Sequence, residues 1–179
     1  MAETASGGER RVMPTGSRSA AAGTRPAAVR LVGNGAAMML VGLLWGLTVG
    51  AAPYPRLALT AHIQFLVNGI PSVLAGLMIL SGACAIGPKP AAFVFWSHVV
   101  SWIVPLSEAA GAYWGTKQAL PIAAGQAGAP GGAPWQESLV LATHVVASIF
   151  LIAAWVLLVR GVQVASTAAD VDETGSARR

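Results

Sequence analysis

The feature that most constrains this chain is the gathering of its apolar residues into four long runs almost free of charge. From Leu31 to Ala52 there is no charged side chain, a stretch of about 33 Å as a helix and enough to cross a hydrocarbon core. A second run goes from Leu57 to about Ile86, a third from Ala91 to Trp114, and a fourth from Ser138 to about Val164. Lipid offers no partner to an open backbone, so such segments cross a bilayer as helices. The fold class expected is all-α: an integral membrane four-helix bundle. Only 10% of the residues are charged and 55% are hydrophobic. A soluble domain carries roughly 25% charge, which rules that class out.

The connections are short and carry their own signals. Ala52-Pro53-Tyr54-Pro55-Arg56 breaks the helix with two prolines, and Gly87-Pro88-Lys89-Pro90 reads as a tight turn. Gly115 to Gln136 is a longer loop rich in Gly, Ala and Pro. Residues 1–28 are mostly Ala, Gly, Ser and Arg, too poor in large apolar side chains to fold alone, so a disordered basic tail is expected there. The membrane domain is then 29–164, followed by a second disordered tail over 165–179. No internal repeat stands out.

The formal charge of +4 rests largely on Arg10, Arg11, Arg18, Arg25 and Arg30, all ahead of the first run. Arginines beside a membrane segment set its orientation, and no nucleic-acid partner is expected. Four spans put both termini on one side. That side holds Arg18, Arg25, Arg30, Lys89 and Arg160 against Arg56 and Lys117 opposite, which places both termini in the cytoplasm and the chain, multi-pass, in the cell inner membrane. A rival reading makes the first run a signal peptide cut near Gly50-Ala51-Ala52, but its apolar stretch exceeds the usual 7–15 residues. Cys84 is the single cysteine, so there is no intrachain disulfide, and a haem would be held noncovalently.

Polar side chains at depth are expensive and point to function or to helix pairing. The second run carries His62, Gln64 and Asn68, the third His98, Glu108 and Tyr113, and the fourth His144. A neutral imidazole at His62 suits a metal or haem iron through one nitrogen; an interfacial histidine satisfied by a carbonyl is the plainer alternative. Asn68 lies about 9 Å further along the axis and roughly 120° around it, so the two residues face apart. If both serve one ligand type, they do so at a subunit boundary. The alternative for Asn68 is an interhelical hydrogen bond, and Gly69, Pro71, Ala75 and Gly76 thin the helix near it. Glu108, the one acid inside these runs, is about 15 Å from His98 along the helix and is expected to be protonated, paired or wet. His98 and His144 read as structural hydrogen-bond partners, and Tyr113 with Trp114 suits the interfacial aromatic belt.

The segment Pro55-Arg56-Leu57-Ala58-Leu59-Thr60-Ala61-His62, followed by Asn68-Gly69, resembles the second helix of the membrane-bound isomerase family that contains hydroxylaminobenzene mutase and styrene oxide isomerase. The Pro-Arg-Leu stretch and Leu120-Pro121-Ile122-Ala123-Ala124-Gly125 look closer to the mutase branch. The resemblance covers nearly the whole hydrophobic portion and implies a homotrimer with haem b between adjacent subunits. His62 matches the iron ligand, Asn68 the asparagine that holds the substrate oxygen, and Tyr113 the third-helix tyrosine. Where the family isomerase has further polar residues before its tyrosine, this chain has Glu108, Ala109 and Ala110. The implied reaction is a redox-neutral rearrangement of a small aromatic substrate reached through the bilayer: hydroxylaminobenzene to an aminophenol, or alternatively an aryl epoxide to an aldehyde. Two other classes stay open, a b-type cytochrome subunit with His98 or His144 as second axial ligand, and a small transporter with Glu108 as its proton-coupled acid.

Overall fold

The computed structural model describes residues 15–176, with side chains described over 23–168. Among the described residues all regular structure is helical: α1 (Thr15–Gly46), a 3-10 turn at Val49–Ala51, α2 (Pro55–Leu80), α3 (Pro88–Val100), α4 (Ile103–Trp114), α5 (Pro121–Ala127) and α6 (Pro134–Ser176). Four helical stretches are long and apolar enough to span a bilayer: Gly23–Gly46, Pro55–Leu80, Pro88–Trp114 and Pro134–Ala168. The all-α four-span architecture read from the sequence is therefore the one observed. Large apolar side chains such as Leu43, Leu47, Val67, Ile70, Ile149 and Ile152 stand exposed along these stretches, as lipid-facing positions do.

The helices α1 and α2 pack most closely, and glycine is the reason. A β-carbon on Gly69 would lie 2.9 Å from the Gly35 carbonyl oxygen and 2.6 Å from Met39 Cγ. The backbones touch where no side chain intervenes, the small-residue packing that holds helices together in lipid. Ala28, Leu31 and Ala75 continue the seam into a core completed by Val94, Ala154 and Leu158 of the later helices.

The third span is two helices, not one, and a proline explains the break. Pro105 has no N–H to give the carbonyl four residues earlier, at Ser101. The chain tightens there, Val104 N–H reaching back to Ser101 O at 3.3 Å. Asn68 fills the remaining gap, its side-chain amide donating to Ser101 O at 3.2 Å.

Several expected boundaries move. The Ala-rich stretch before residue 28 is helical from Thr15, and Thr24 and Ala28 are buried. Alanine is the best helix former, and α2 covers this end, since a β-carbon on Gly76 would meet the Ala28 carbonyl at 2.7 Å. Residues 1–14 lie outside the described residues. Gly87-Pro88-Lys89-Pro90 opens α3, with Gly87 as its cap and Pro88 in the first turn, where proline fits because that N–H has no helical partner. The second span ends at Leu80 instead of Ile86, and α6 begins at Pro134 and continues to Ser176.

The expected loop over 115–136 is ordered. Its helix α5 packs Ala124 into a cluster with Ala52, Leu57, Ala58 and Ala112. The buried Glu137 carboxylate pins the rest, accepting from the backbone N–H groups of Gly132 (2.7 Å), Gln118 (2.9 Å) and Lys117 (3.0 Å).

Candidate functional site

His62 sits on α2 against the last turns of α1. Its Nδ1 lies 2.7 Å from the Gly42 carbonyl oxygen. A carbonyl can only accept, so Nδ1 carries the hydrogen and the Nε2 lone pair of the neutral ring is left for something else. Nε2 has no partner among the described residues and is not sealed in. The seat exists because α1 has glycine where the ring lies: a β-carbon on Gly46 would come within 2.8 Å of Cε1 and Nδ1. A histidine oriented through one nitrogen by a carbonyl, with the other bare, is the arrangement of a metal-ligating imidazole. The ring is half-buried, and Leu43 and Leu47, which follow Gly42 and Gly46 along the chain, are exposed. These residues fit an iron-bound group such as haem b at the outer surface of the α1–α2 pair, held through Nε2.

Asn68 points elsewhere. It is buried between α2 and the broken third span, donating to Ser101 O and accepting from Gln64 Nε2 at 3.1 Å. One amide hydrogen remains without a partner among the described residues. The opposed directions of His62 and Asn68 expected from helical geometry are thus observed. Tyr113, near the end of α4, is 55% exposed with its ring edge-on to Trp45 at 6.4 Å. Trp45 in turn donates to the Ala58 carbonyl at 2.9 Å, one turn before His62. His62 thus faces α1 while Asn68 is buried against the third span, and Tyr113 reaches the α1–α2 pair through Trp45.

The other two histidines differ from His62. His144 gives Nδ1–H to Val140 O at 2.7 Å, and its Nε2 meets Glu108 Oε1 at 3.0 Å. One proton lies between these atoms, so the pair is neutral overall whichever side holds it. Glu108 is 3% exposed and its Oε2 has no partner among the described residues. The adjacent Ser107–Thr143 hydroxyl bond, at 2.7 Å, joins the same two helices. His98 is completely buried, giving Nδ1–H to Val94 O at 2.9 Å, with Nε2 enclosed and unpartnered. No group of three or more His, Cys, Asp or Glu able to hold a bare metal ion occurs among the described residues.

Some polar residues escaped the sequence reading. Asn34, inside the first span, accepts from Trp102 Nε1 at 2.9 Å and donates to Ser72 Oγ at 3.1 Å. Ser72 passes its own hydrogen to Leu31 O at 2.9 Å. An asparagine in an otherwise apolar run was the available signal. The glycines at 42 and 46 give a weaker one, since their four-residue spacing is common wherever helices pack.

The curated hydroxylaminobenzene mutase HabB of Ectopseudomonas oleovorans is 33% identical over 103 residues, 56% of this chain and 61% of the relative. The chain thus spans about three fifths of the length of the curated relative it matches. No solved structure matches. The family model described as styrene oxide isomerase matches residues 27–163, which takes in the second and third spans, most of the first and fourth, the His62 seat and the Glu108–His144 pair. By that match, the chain belongs to the styrene oxide isomerase family.

Proposed function

We propose that this protein is a membrane-bound intramolecular isomerase that uses haem b to rearrange a small aromatic substrate, hydroxylaminobenzene to an aminophenol. The observation that carries the reading is the glycine-lined seat of His62, with Nδ1 fixed on Gly42 O and Nε2 bare. Haem, when bound, would supply a Lewis acid for a substrate oxygen. His62 would hold the group through Nε2, with Gly42 O and the space at Gly46 fixing the imidazole. In the hydroxylamine the N–O bond breaks, a ring C–O bond forms, and the ring proton passes to nitrogen, with no net oxidation.

Asn68, through its spare amide hydrogen, and Tyr113, through its phenol, orient the substrate oxygen. Because His62 and Asn68 face apart, they combine most directly between copies of the chain, which favours the trimer that the resemblance implies. The apolar side chains around His62 keep water from a cationic intermediate. The arginine and lysine asymmetry favours both termini in the cytoplasm and a place in the cell inner membrane.

Conversion of an aryl epoxide to an aldehyde is the second reading, favoured by the description of the family model that matches residues 27–163. The cytochrome reading is weakened because His144 Nε2 is taken by Glu108 and His98 is enclosed. The same pairing ties the carboxyl a transporter would need to α6. Incubating the detergent-purified protein with phenylhydroxylamine and with styrene oxide tests the proposal. 2-Aminophenol as the dominant product supports the mutase, phenylacetaldehyde supports the second reading, and neither product defeats both.

A further inference from the structure

A cleft of about 410 Å³ opens between the first two turns of α2 and the short helix α5. That volume suits a small organic molecule. Leu59 and Ile63 form one wall and Leu120 and Ile122 the other. Its polar groups are few. Arg56 Nε donates to Gln126 Oε1 at 2.7 Å, a bond that joins α2 to α5 across 70 positions of chain. The two terminal amino groups of Arg56 and the amide hydrogens of Gln126 are left as donors at the rim. Thr60 gives its hydrogen to Leu57 O at 2.7 Å, which leaves the hydroxyl oxygen free to accept.

The wall residues Leu59 and Ile63 lie within one turn of His62 on the same helix. The cleft draws Arg56 and Thr60 from the start of α2 and Leu120, Pro121, Ile122 and Ala123 from the start of α5. The two helix starts are more than sixty residues apart in sequence and meet here. Apolar walls with donors and one acceptor at the rim fit a flat aromatic ring bearing a hydroxylamino or amino and hydroxyl group. An epoxide, with an acceptor and no donor, leaves Thr60 unused.

We propose that this cleft holds the aromatic substrate next to the reaction site and selects a hydroxylamino group through Arg56, Gln126 and Thr60, an assignment that rests on the isomerase reading above. Two variants of the full-length purified protein test it. Ile122 lines the cleft and is 78% exposed, so Ile122→Trp adds bulk at the cleft without disturbing the core, and Gln126→Leu removes the amide together with its bond to Arg56. The account expects Ile122→Trp to raise KM for phenylhydroxylamine by about tenfold or more with kcat within about twofold. Gln126→Leu should raise that KM by roughly three- to tenfold and leave KM for styrene oxide unchanged.

Binding is read separately, by saturation-transfer NMR of 2-aminophenol. The signal should be present in the parent and absent in Ile122→Trp. If the parent turns over phenylhydroxylamine but Ile122→Trp keeps both KM and the NMR signal, the cleft assignment is wrong while the isomerase stands. If the parent turns over nothing, the NMR still decides: a signal lost in Ile122→Trp supports the cleft alone, and a signal retained, or absent from the parent, overturns it. Retention of phosphatidylglycerol that Arg56→Gln abolishes, with 2-aminophenol binding unaffected, would make the cleft an anionic-lipid site and also overturn it.

Discussion

His62 and His144 are half alike, though the carbonyl that each ring meets is placed differently: Gly42 of the neighbouring helix α1 for His62, Val140 one turn back on its own helix for His144. Each gives its Nδ1 hydrogen to a backbone carbonyl at 2.7 Å, from a helix that packs on a neighbour. They part at the second nitrogen. At the α1–α2 seam the neighbour offers glycine, so Nε2 of His62 is left bare at a half-buried surface. At the α4–α6 seam the neighbour offers Glu108, and Nε2 of His144 is occupied. Residue type and depth do not separate a histidine with a bare nitrogen from a paired one; what the facing helix places opposite the ring does. His98 makes the same point from a third position, its Nε2 free but shut inside the bundle.

The largest effect in breaking this contrast should come from Gly46. A side chain there collides with the imidazole, so Gly46→Val should displace His62 and destabilise the α1–α2 pair by about 1–3 kcal/mol. Thermal unfolding in detergent would show the loss, and the haem content of the purified variant should fall with it. A variant that keeps full haem content would mean the seat is not needed.

At the other seam, His144→Leu leaves the Glu108 carboxyl buried without its partner. A loss of about 1–3 kcal/mol is expected, with most of it recovered in the Glu108→Leu/His144→Leu double variant, because removing both partners removes the orphan. Haem content and absorption should be unchanged in both, and a spectral change would put this pair at the cofactor.

Asn68→Ala is a smaller perturbation, since it frees the Ser101 carbonyl that Pro105 already deprives of a helical donor and the half-buried amide of Gln64. Interhelical hydrogen bonds of this kind contribute roughly 0.6–2 kcal/mol. If Asn68 serves only the kink, activity should follow stability. A drop in kcat far beyond the stability change would place its spare hydrogen on the substrate.

The smallest effect concerns Cys84, outside the spans in the connection after α2. It is buried, and burial pushes its thiol above the ordinary cysteine range. The native protein should therefore react slowly with iodoacetamide near neutral pH and rapidly once unfolded. Fast labelling of the native chain would show that this connection opens.

The four spans were legible because charge is excluded from them, and the opposed directions of His62 and Asn68 followed from helical periodicity alone. The break in the third span was also written in the sequence, at Pro105, but a proline within an apolar run is compatible with a continuous kinked helix. What joins α4 to α6 was not legible, because Glu108 and His144 are 36 positions apart and their meeting depends on tertiary packing. The seat of His62 was hidden for a related reason: it is an absence of side chain on α1, and nothing near His62 in sequence signals it. Helix α5 was read as loop because Gly, Ala and Pro dominate it, while its order comes from Ala124 packing on α2 and from the Glu137 carboxylate.

The most direct measurement is an absorption spectrum of the detergent-purified protein, expressed with ample haem, beside its His62→Ala, His98→Ala and His144→Ala variants. The account predicts a Soret band in the parent that survives the changes at His98 and His144 and is lost at His62. A parent without a Soret band, or a band that His62→Ala leaves intact, would contradict it.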